Sequence, residues 1–260
     1  LLLPVSALAR VDIALEFAVH VPLMEVSLSG RPVTVILDTG AGMSVIDSLL
    51  AQQLRLKGNR SIALSGAGQH AEARIADNVP ISLPGFERRG SFAIVPLAVL
   101  SRQTGKNIGG ILGCDLLSLF TVELDYDEQR ARFHPPGARF DAAWTQVAKL
   151  RMEAGRPAVP AELVVGGGRV VRGHFVLDTG SNHGVTLLPG FAARQGLPGE
   201  GQRTLDDPAL GIAGLSPAVL TQATLFRLSN FEIPRPYVRI RQTGSKSGEE
   251  IGRASCRERV

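Results

Sequence analysis

The triplet Asp-Thr-Gly occurs twice in this chain, as Asp38-Thr39-Gly40 and Asp178-Thr179-Gly180. Each copy ends a short apolar run and is followed by a small residue, Ala41 or Ser181. A carboxylate placed where an apolar strand breaks into a glycine turn is partly desolvated, and two such carboxylates brought face to face do not readily both ionise. One proton shared between them makes a paired general base and general acid. A single copy says little: average residue usage gives it a likelihood on the order of 10⁻⁴ per position, and a strand ending in Asp-x-Gly is commonly just a turn. Two copies with matching flanks say more. Val33-Thr34-Val35-Ile36-Leu37 leads into the first and His174-Phe175-Val176-Leu177 into the second, both weighted toward β-branched and aromatic residues as buried strands are.

The likeness continues beyond the triplets. Ala41-Gly42-Met43-Ser44-Val45-Ile46 and a helix-like stretch from Ser48 to Leu56 follow the first; Val185-Thr186-Leu187-Leu188 and a helix-like stretch from Pro189 to Leu197 follow the second. One unit therefore repeats with a period near 140 residues, too long for a solenoid and suited to two pseudo-equivalent lobes. A third element is Gly109-Gly110-Ile111-Leu112-Gly113-Cys114-Asp115-Leu116-Leu117, followed by Phe120-Thr121-Val122-Glu123-Leu124-Asp125-Tyr126.

Together these residues resemble the retropepsin-like and pepsin-like aspartic peptidases, above all the bacterial proteins that carry two retropepsin-type lobes on one polypeptide. The resemblance spans about residues 12–245. It implies an all-β fold with short helices, made of two pseudo-symmetric lobes at 10–134 and 147–250, joined by a linker at 135–146. It also implies an aspartic endopeptidase that cleaves extended peptides with a water activated between Asp38 and Asp178, using no metal and no cofactor. Thr39 and Thr179 would cross-link the two loops, Gly40 and Gly180 would admit backbone amides to the carboxylates, and Ala41 and Ser181 match the small residue after the triplet. Ile111, Leu112 and Gly113 would form the strand that holds the first loop in place. The alternative is a non-enzymatic peptide-binding module that keeps the lobes without turnover. The partner is then a peptide or protein substrate, and the chain is a monomer with an internal pseudo-dimer, with a homodimer of the retroviral kind as the other possibility.

Such a family needs a hairpin flap over its substrate. In the first lobe the candidate runs from Ile62 to Ile75 with Gly66-Ala67-Gly68 at its tip; in the second, Gly211-Ile212-Ala213-Gly214 holds the equivalent place. Neither contains Tyr, so the retropepsin variant fits better than the pepsin one. Elsewhere strands are expected at about 12–19, 22–29, 32–38, 71–84, 91–97 and 120–133. The order resumes near Val147, with turns at Gly155-Arg156-Pro157 and Gly166 to Gly168 before the strand into Asp178. His134-Pro135-Pro136-Gly137 interrupts any regular element and marks the lobe boundary.

Both ends read differently from the middle. Leu1 to Ala9 is an apolar run ending in Ala-x-Ala, like the tail of a secretory signal peptide cleaved before Arg10, which implies a secreted or periplasmic protein; a first core strand is the alternative. Residues 251–260 look like a translated sequencing adapter and are set aside as a processing scar. On that reading the second lobe stops near Glu249, without a counterpart of Gly110 to Gly113, and is expected to fold poorly.

The formal net charge is +4. Arg253, Arg257 and Arg259 against Glu258 account for half of it, and the remaining positive charge is scattered, with no nucleic-acid-binding stripe. With Cys256 set aside, Cys114 stands alone, so an internal disulfide is excluded and a buried thiol is expected. The histidines His20, His70, His134, His174 and His183 have no metal-binding spacing, and Gly166-Gly167-Gly168-Arg169 precedes a strand where a phosphate loop would need a helix. His183, five positions after Asp178, either lines the cleft or is a structural or solvated side chain. No apolar stretch beyond the first residues is long enough to span a membrane.

Overall fold

The computed structural model describes residues 10–65, 70–138, 147–212, 214–243 and 252–254. It is mostly β, with 52% strand and 12% helix, and it divides into two compact units, 1–63 with 72–142 and 64–71 with 143–260. Short apolar runs separated by Gly, Pro and Asn turns leave little room for long helices, and none among the described residues is long and apolar enough to cross a membrane.

The first unit contains β1 (Val11–Ala14), β2 (Glu16–Ala18), β3 (Val21–Leu28), β4 (Arg31–Leu37), β5 (Val45–Asp47), α1 (Ser48–Gln53), β6 (Arg60–Ser65), β7 (His70–Leu83), β8 (Phe86–Val95), α2 (Ala98–Thr104), β9 (Gly110–Leu112), α3 (Cys114–Leu117), β10 (Thr121–Asp125) and β11 (Arg130–His134). Its main sheet has the order β2-β3-β4-β9-β5-β8-β7-β6, and β1-β11-β10 forms a separate three-stranded sheet. Ser29 and Gly30, at φ 50° and 80°, make the two-residue turn that joins β3 to β4 and sets the pairing of Leu28 with Arg31. That register turns Met24, Val26, Leu28, Val35 and Leu37 into a core they share with Phe92, Leu112 and Phe133. The Asp47 carboxylate caps α1 by accepting from the Leu49 and Leu50 amides, and its other oxygen accepts from the Leu97 amide at 2.8 Å. The single strand expected at 120–133 is two, because the chain turns at 126–129 with Gln129 at φ 54°.

The second unit contains β12 (Arg151–Glu153), β13 (Arg156–Val164), β14 (Val170–Leu177), β15 (Val185–Leu187), α4 (Pro189–Arg194), β16 (Leu205–Asp206), β17 (Ala209–Gly211), β18 (Gly214–Ser216), β19 (Ala218–Gln222), β20 (Leu225–Leu228), β21 (Phe231–Pro234), β22 (Tyr237–Arg241) and β23 (Gly252–Ala254). The sheet order β16-β19-β22-β15-β23-β14-β13-β20-β21, with β12 also on β13, repeats the first unit. There β13, β14, β23, β15, β22, β19 and β16 take the places of β3, β4, β9, β5, β8, β7 and β6. Its core gathers Leu163, Phe175, Leu187, Phe191, Phe226 and Ile240, with the Phe175 and Phe226 rings edge to face at 5.2 Å.

Three residues of the segment set aside in the sequence take a place in the second sheet. The segment set aside as a scar supplies β23, which pairs parallel with β14 (Val176 with Arg253) and antiparallel with β15 (Thr186 with Arg253). β23 thus lies beside the strand that leads into Asp178. The cause is backbone pairing: the slot between β14 and β15 offers unpaired amides and carbonyls on both sides, and a three-residue strand fills it largely irrespective of side chains. The expected signal remnant (1–9), the flap tip Gly66-Ala67-Gly68, Ala213 and Cys256 lie outside the described residues.

Candidate active site

Asp38 follows the last residue of β4 at the point where β4 and β9 run parallel, with Leu37 opposite Leu112. Its amide donates to the Leu112 carbonyl at 3.0 Å, so the sheet pairing carries into the triplet itself. The chain then folds back: the Gly40 amide donates to Asp38 Oδ1 at 2.7 Å and the Ala41 amide to the Asp38 carbonyl at 3.3 Å. An amide pointed at a carboxylate favours its ionised form.

The supporting strand presses directly on this loop. A Cβ at Gly113 would stand 2.8 Å from the Ala41 carbonyl oxygen and 2.8 Å from the Met43 carbonyl carbon, and one at Gly110 would stand 2.8 Å from the Val45 carbonyl oxygen. Only glycine lets β9 lie this close. Ile111 and Leu112, both buried, fill the space on either side of the strand. Ser44, completely buried, joins loop to strand: its hydroxyl donates to Asp115 Oδ1 at 2.7 Å and accepts from the Gly113 amide at 3.0 Å. The Cys114 amide donates to the Ala41 carbonyl at 2.8 Å, and the buried Cys114 thiol donates to the Thr39 carbonyl at 3.2 Å.

The second triplet is built the same way. Asp178 follows β14 where β14 and β23 run parallel, and the Ser181 amide donates to the Asp178 carbonyl at 3.3 Å, matching Ala41 and Asp38. Asp178 and Thr179 are both buried, with 3% exposure each, and Gly180 is half-buried. Beyond them the Ser181 hydroxyl donates to the His183 carbonyl at 3.3 Å, and the His183 amide returns to that hydroxyl at 3.4 Å. Burial pushes the His183 imidazole down to about 4; the Arg239 guanidinium pushes the same way and Asp207 opposes them. His183 is thus a neutral, largely sheltered ring near pH 7.

The flap expectations map onto two hairpins. β6 and β7 form the arms of the first, and Gly66, Ala67 and Gly68 lie outside the described residues. Asp77 on β7 accepts from Arg60 Nη2 at 2.9 Å and from the Ser91 hydroxyl at 2.6 Å, and these donors hold its carboxyl well below the usual carboxylate range. In the second unit Gly211 and Gly214 are paired across the β17–β18 hairpin, with Ile212 in its turn. This hairpin lies between β16 and β19, the counterparts of β6 and β7. No cluster of His, Cys, Asp and Glu fit to hold a metal occurs among the described residues.

Sequence reasoning did not find Ser44, Asp115, Asp207 or Arg239. Ser44 stands six positions after Asp38, but the matching position after Asp178 is Gly184, so the internal repeat gave no pointer to it. Arg239 looks in the sequence like one more exposed arginine of an amphipathic strand, yet it is 7% exposed.

Both units thus contain a parallel strand that ends in an Asp-Thr-Gly turn, next to a glycine-bearing strand that pairs with both neighbours. Residues 24–116 match the family model described as Aspartyl protease, a span that takes in the first triplet and the whole of β9. Among solved structures it is similar to a retropepsin-like aspartic protease from Rickettsia conorii, with 19% identity and a TM-score of 0.34, over 48% of this chain and 89% of that one. A search of the curated proteins finds no match.

Proposed function

We propose that the chain is an aspartic endopeptidase that hydrolyses peptide bonds in extended peptides, with Asp38 and Asp178 sharing one proton across a bound water. The observation that carries this reading is the repetition of one loop. In each unit a parallel strand pair leads into Asp-Thr-Gly, and the turn closes with the same 3.3 Å bond, from Ala41 to Asp38 and from Ser181 to Asp178.

Cleavage of a peptide bond without a covalent nucleophile needs a base for the water and an acid for the carbonyl. An ionised Asp takes a proton from the water while its protonated partner hydrogen-bonds the scissile carbonyl oxygen. The two exchange roles as the amine departs. Two carboxylates at close range hold their proton affinities apart, for which the aspartic-protease dyad is the standard illustration. Thr39 and Thr179 would brace the two loops. The β6–β7 and β17–β18 hairpins would close over the substrate and pair with its backbone as with an added strand. A secreted or periplasmic setting follows from the reading of Leu1 to Ala9.

Exposure of the chain to a mixed peptide library at acidic and at alkaline pH, with and without a transition-state-analogue inhibitor of aspartic peptidases, tests the proposal. Inhibitor-sensitive cleavage at acidic pH that fades as pH rises is the expected result. Peptide binding without cleavage under all conditions would move the chain to the non-enzymatic reading.

A further inference from the structure

The two lobes share a strand order but differ at one set of equivalent positions. Counting from each Asp, Met43 corresponds to His183 and Ile46 to Thr186. The parallel pairing then matches Ile94, opposite Ile46, with Arg239, opposite Thr186. An apolar trio in the first lobe is thus a polar trio in the second. Because the same sheet forms with Ile46 and Ile94, the fold itself does not require a guanidinium there.

Burying that guanidinium is unfavourable unless it is paired, and its partner is specific. Arg239 Nε and Nη2 both donate to Asp207 Oδ2, at 2.8 and 2.7 Å. Asp207 stands immediately before the β17–β18 hairpin, and its amide donates to the Ala218 carbonyl immediately after it, at 2.9 Å. The other arm is tied to the end of the same strand: the buried Ser216 hydroxyl meets the Thr243 hydroxyl at 3.1 Å, and the Gln242 amide donates to the Pro217 carbonyl at 2.9 Å. A two-stranded ribbon has little rigidity of its own, so its direction is set by its root. β22, which carries Arg239, lies beside β15, the strand that leaves the Asp178 loop.

Resting on the peptidase reading, we propose that Asp207 and Arg239 are positioning residues: their ion pair, with the guanidinium buried and the carboxylate half-buried, fixes the root of the β17–β18 hairpin to β22, the strand beside the one leaving the Asp178 loop, and so sets how this hairpin meets a bound peptide. Neither residue touches the reacting atoms. The first hairpin does the same with a pair at a different place, Arg60 and Asp77, whose guanidinium is largely exposed. The two pairs differ in the guanidinium, 58% exposed in Arg60 against 9% in Arg239, while the carboxylates are alike at 24% and 27%.

The test uses the full chain with Asp207→Asn, Asp207→Glu and the charge-free double variant Asp207→Leu/Arg239→Ile, which installs the first lobe's residue. Backbone hydrogen exchange is followed for 209–216 and, as internal reference, for 156–164, and KM and kcat are measured on a cleaved peptide. Asp207→Asn is expected to speed exchange in the hairpin about tenfold with the reference strand unchanged, and to raise KM by about the same factor while kcat changes less. Asp207→Glu should restore most of both, and the double variant should fold while keeping the loose hairpin. Unchanged hairpin exchange in Asp207→Asn, or equal acceleration of hairpin and reference strand, would overturn the assignment. Should the wild type cleave no peptide, the peptidase reading fails by itself, and the exchange measurement still decides whether the pair roots the hairpin.

Discussion

The Ser44 hydroxyl donates to Asp115 Oδ1 at 2.7 Å across 71 positions of sequence, and Ser44 Oγ itself accepts from the Gly113 amide at 3.0 Å. This one buried group ties the wall of the Asp38 loop to the strand that supports it.

Replacing Ser44 by Ala leaves the Gly113 amide without its acceptor in a site closed to water. The expected loss is about 1–3 kcal/mol of stability. Denaturant unfolding of Ser44→Ala against Ser44→Thr, which keeps the hydroxyl, checks this: only the alanine variant should lose stability on this scale.

The fit of β9 against the loop is equally specific. Gly113→Ala would place its methyl 2.8 Å from the Ala41 carbonyl oxygen, and the overpacking should cost about 1–3 kcal/mol or more. Gly166→Ala, where nothing lies within 4 Å, is the control and should be near neutral. Equal midpoints in thermal unfolding for the two variants would contradict the packing described.

His183 makes stability depend on pH. Its folded value, about 4, lies below its ordinary 6.5, so the unfolded chain takes up the proton first as pH falls. The contribution is fully present above 6.5, declines as pH falls toward 4, and is constant below that. Allowing for the solvent that still reaches the ring, about 1–2 kcal/mol is lost across this window. Unfolding of the wild type and of His183→Gln at pH values on both sides of the window measures it; the glutamine variant should lack this part of the decline.

What could be read from the sequence was local. Asp38, Asp178 and the Gly110–Gly113 segment are signalled by residue types at fixed short spacing, and the turns that place them obey the same short-range rules. The strands β3, β4 and β7 and the second half of β8 were legible because apolar residues with turn punctuation announce them. The division of β10 from β11 was not, since Tyr126 to Gln129 carry no Gly or Pro and Gln129 takes its left-handed conformation from the hairpin. α2 was missed because it has no capping side chain at Leu97. The place of β23 was not legible because it is decided by backbone groups on β14 and β15, far away in sequence. Arg239 and Asp207, 32 positions apart, find each other only through the sheet.

The most direct measurement is peptide cleavage by the wild type, Asp38→Asn and Asp178→Asn under one acidic condition, with thermal unfolding to confirm that all three are folded. Each asparagine removes one partner of the proton exchange and should lower kcat/KM by about 10³-fold. Cleavage by either folded variant at the wild-type rate would contradict the shared-proton dyad.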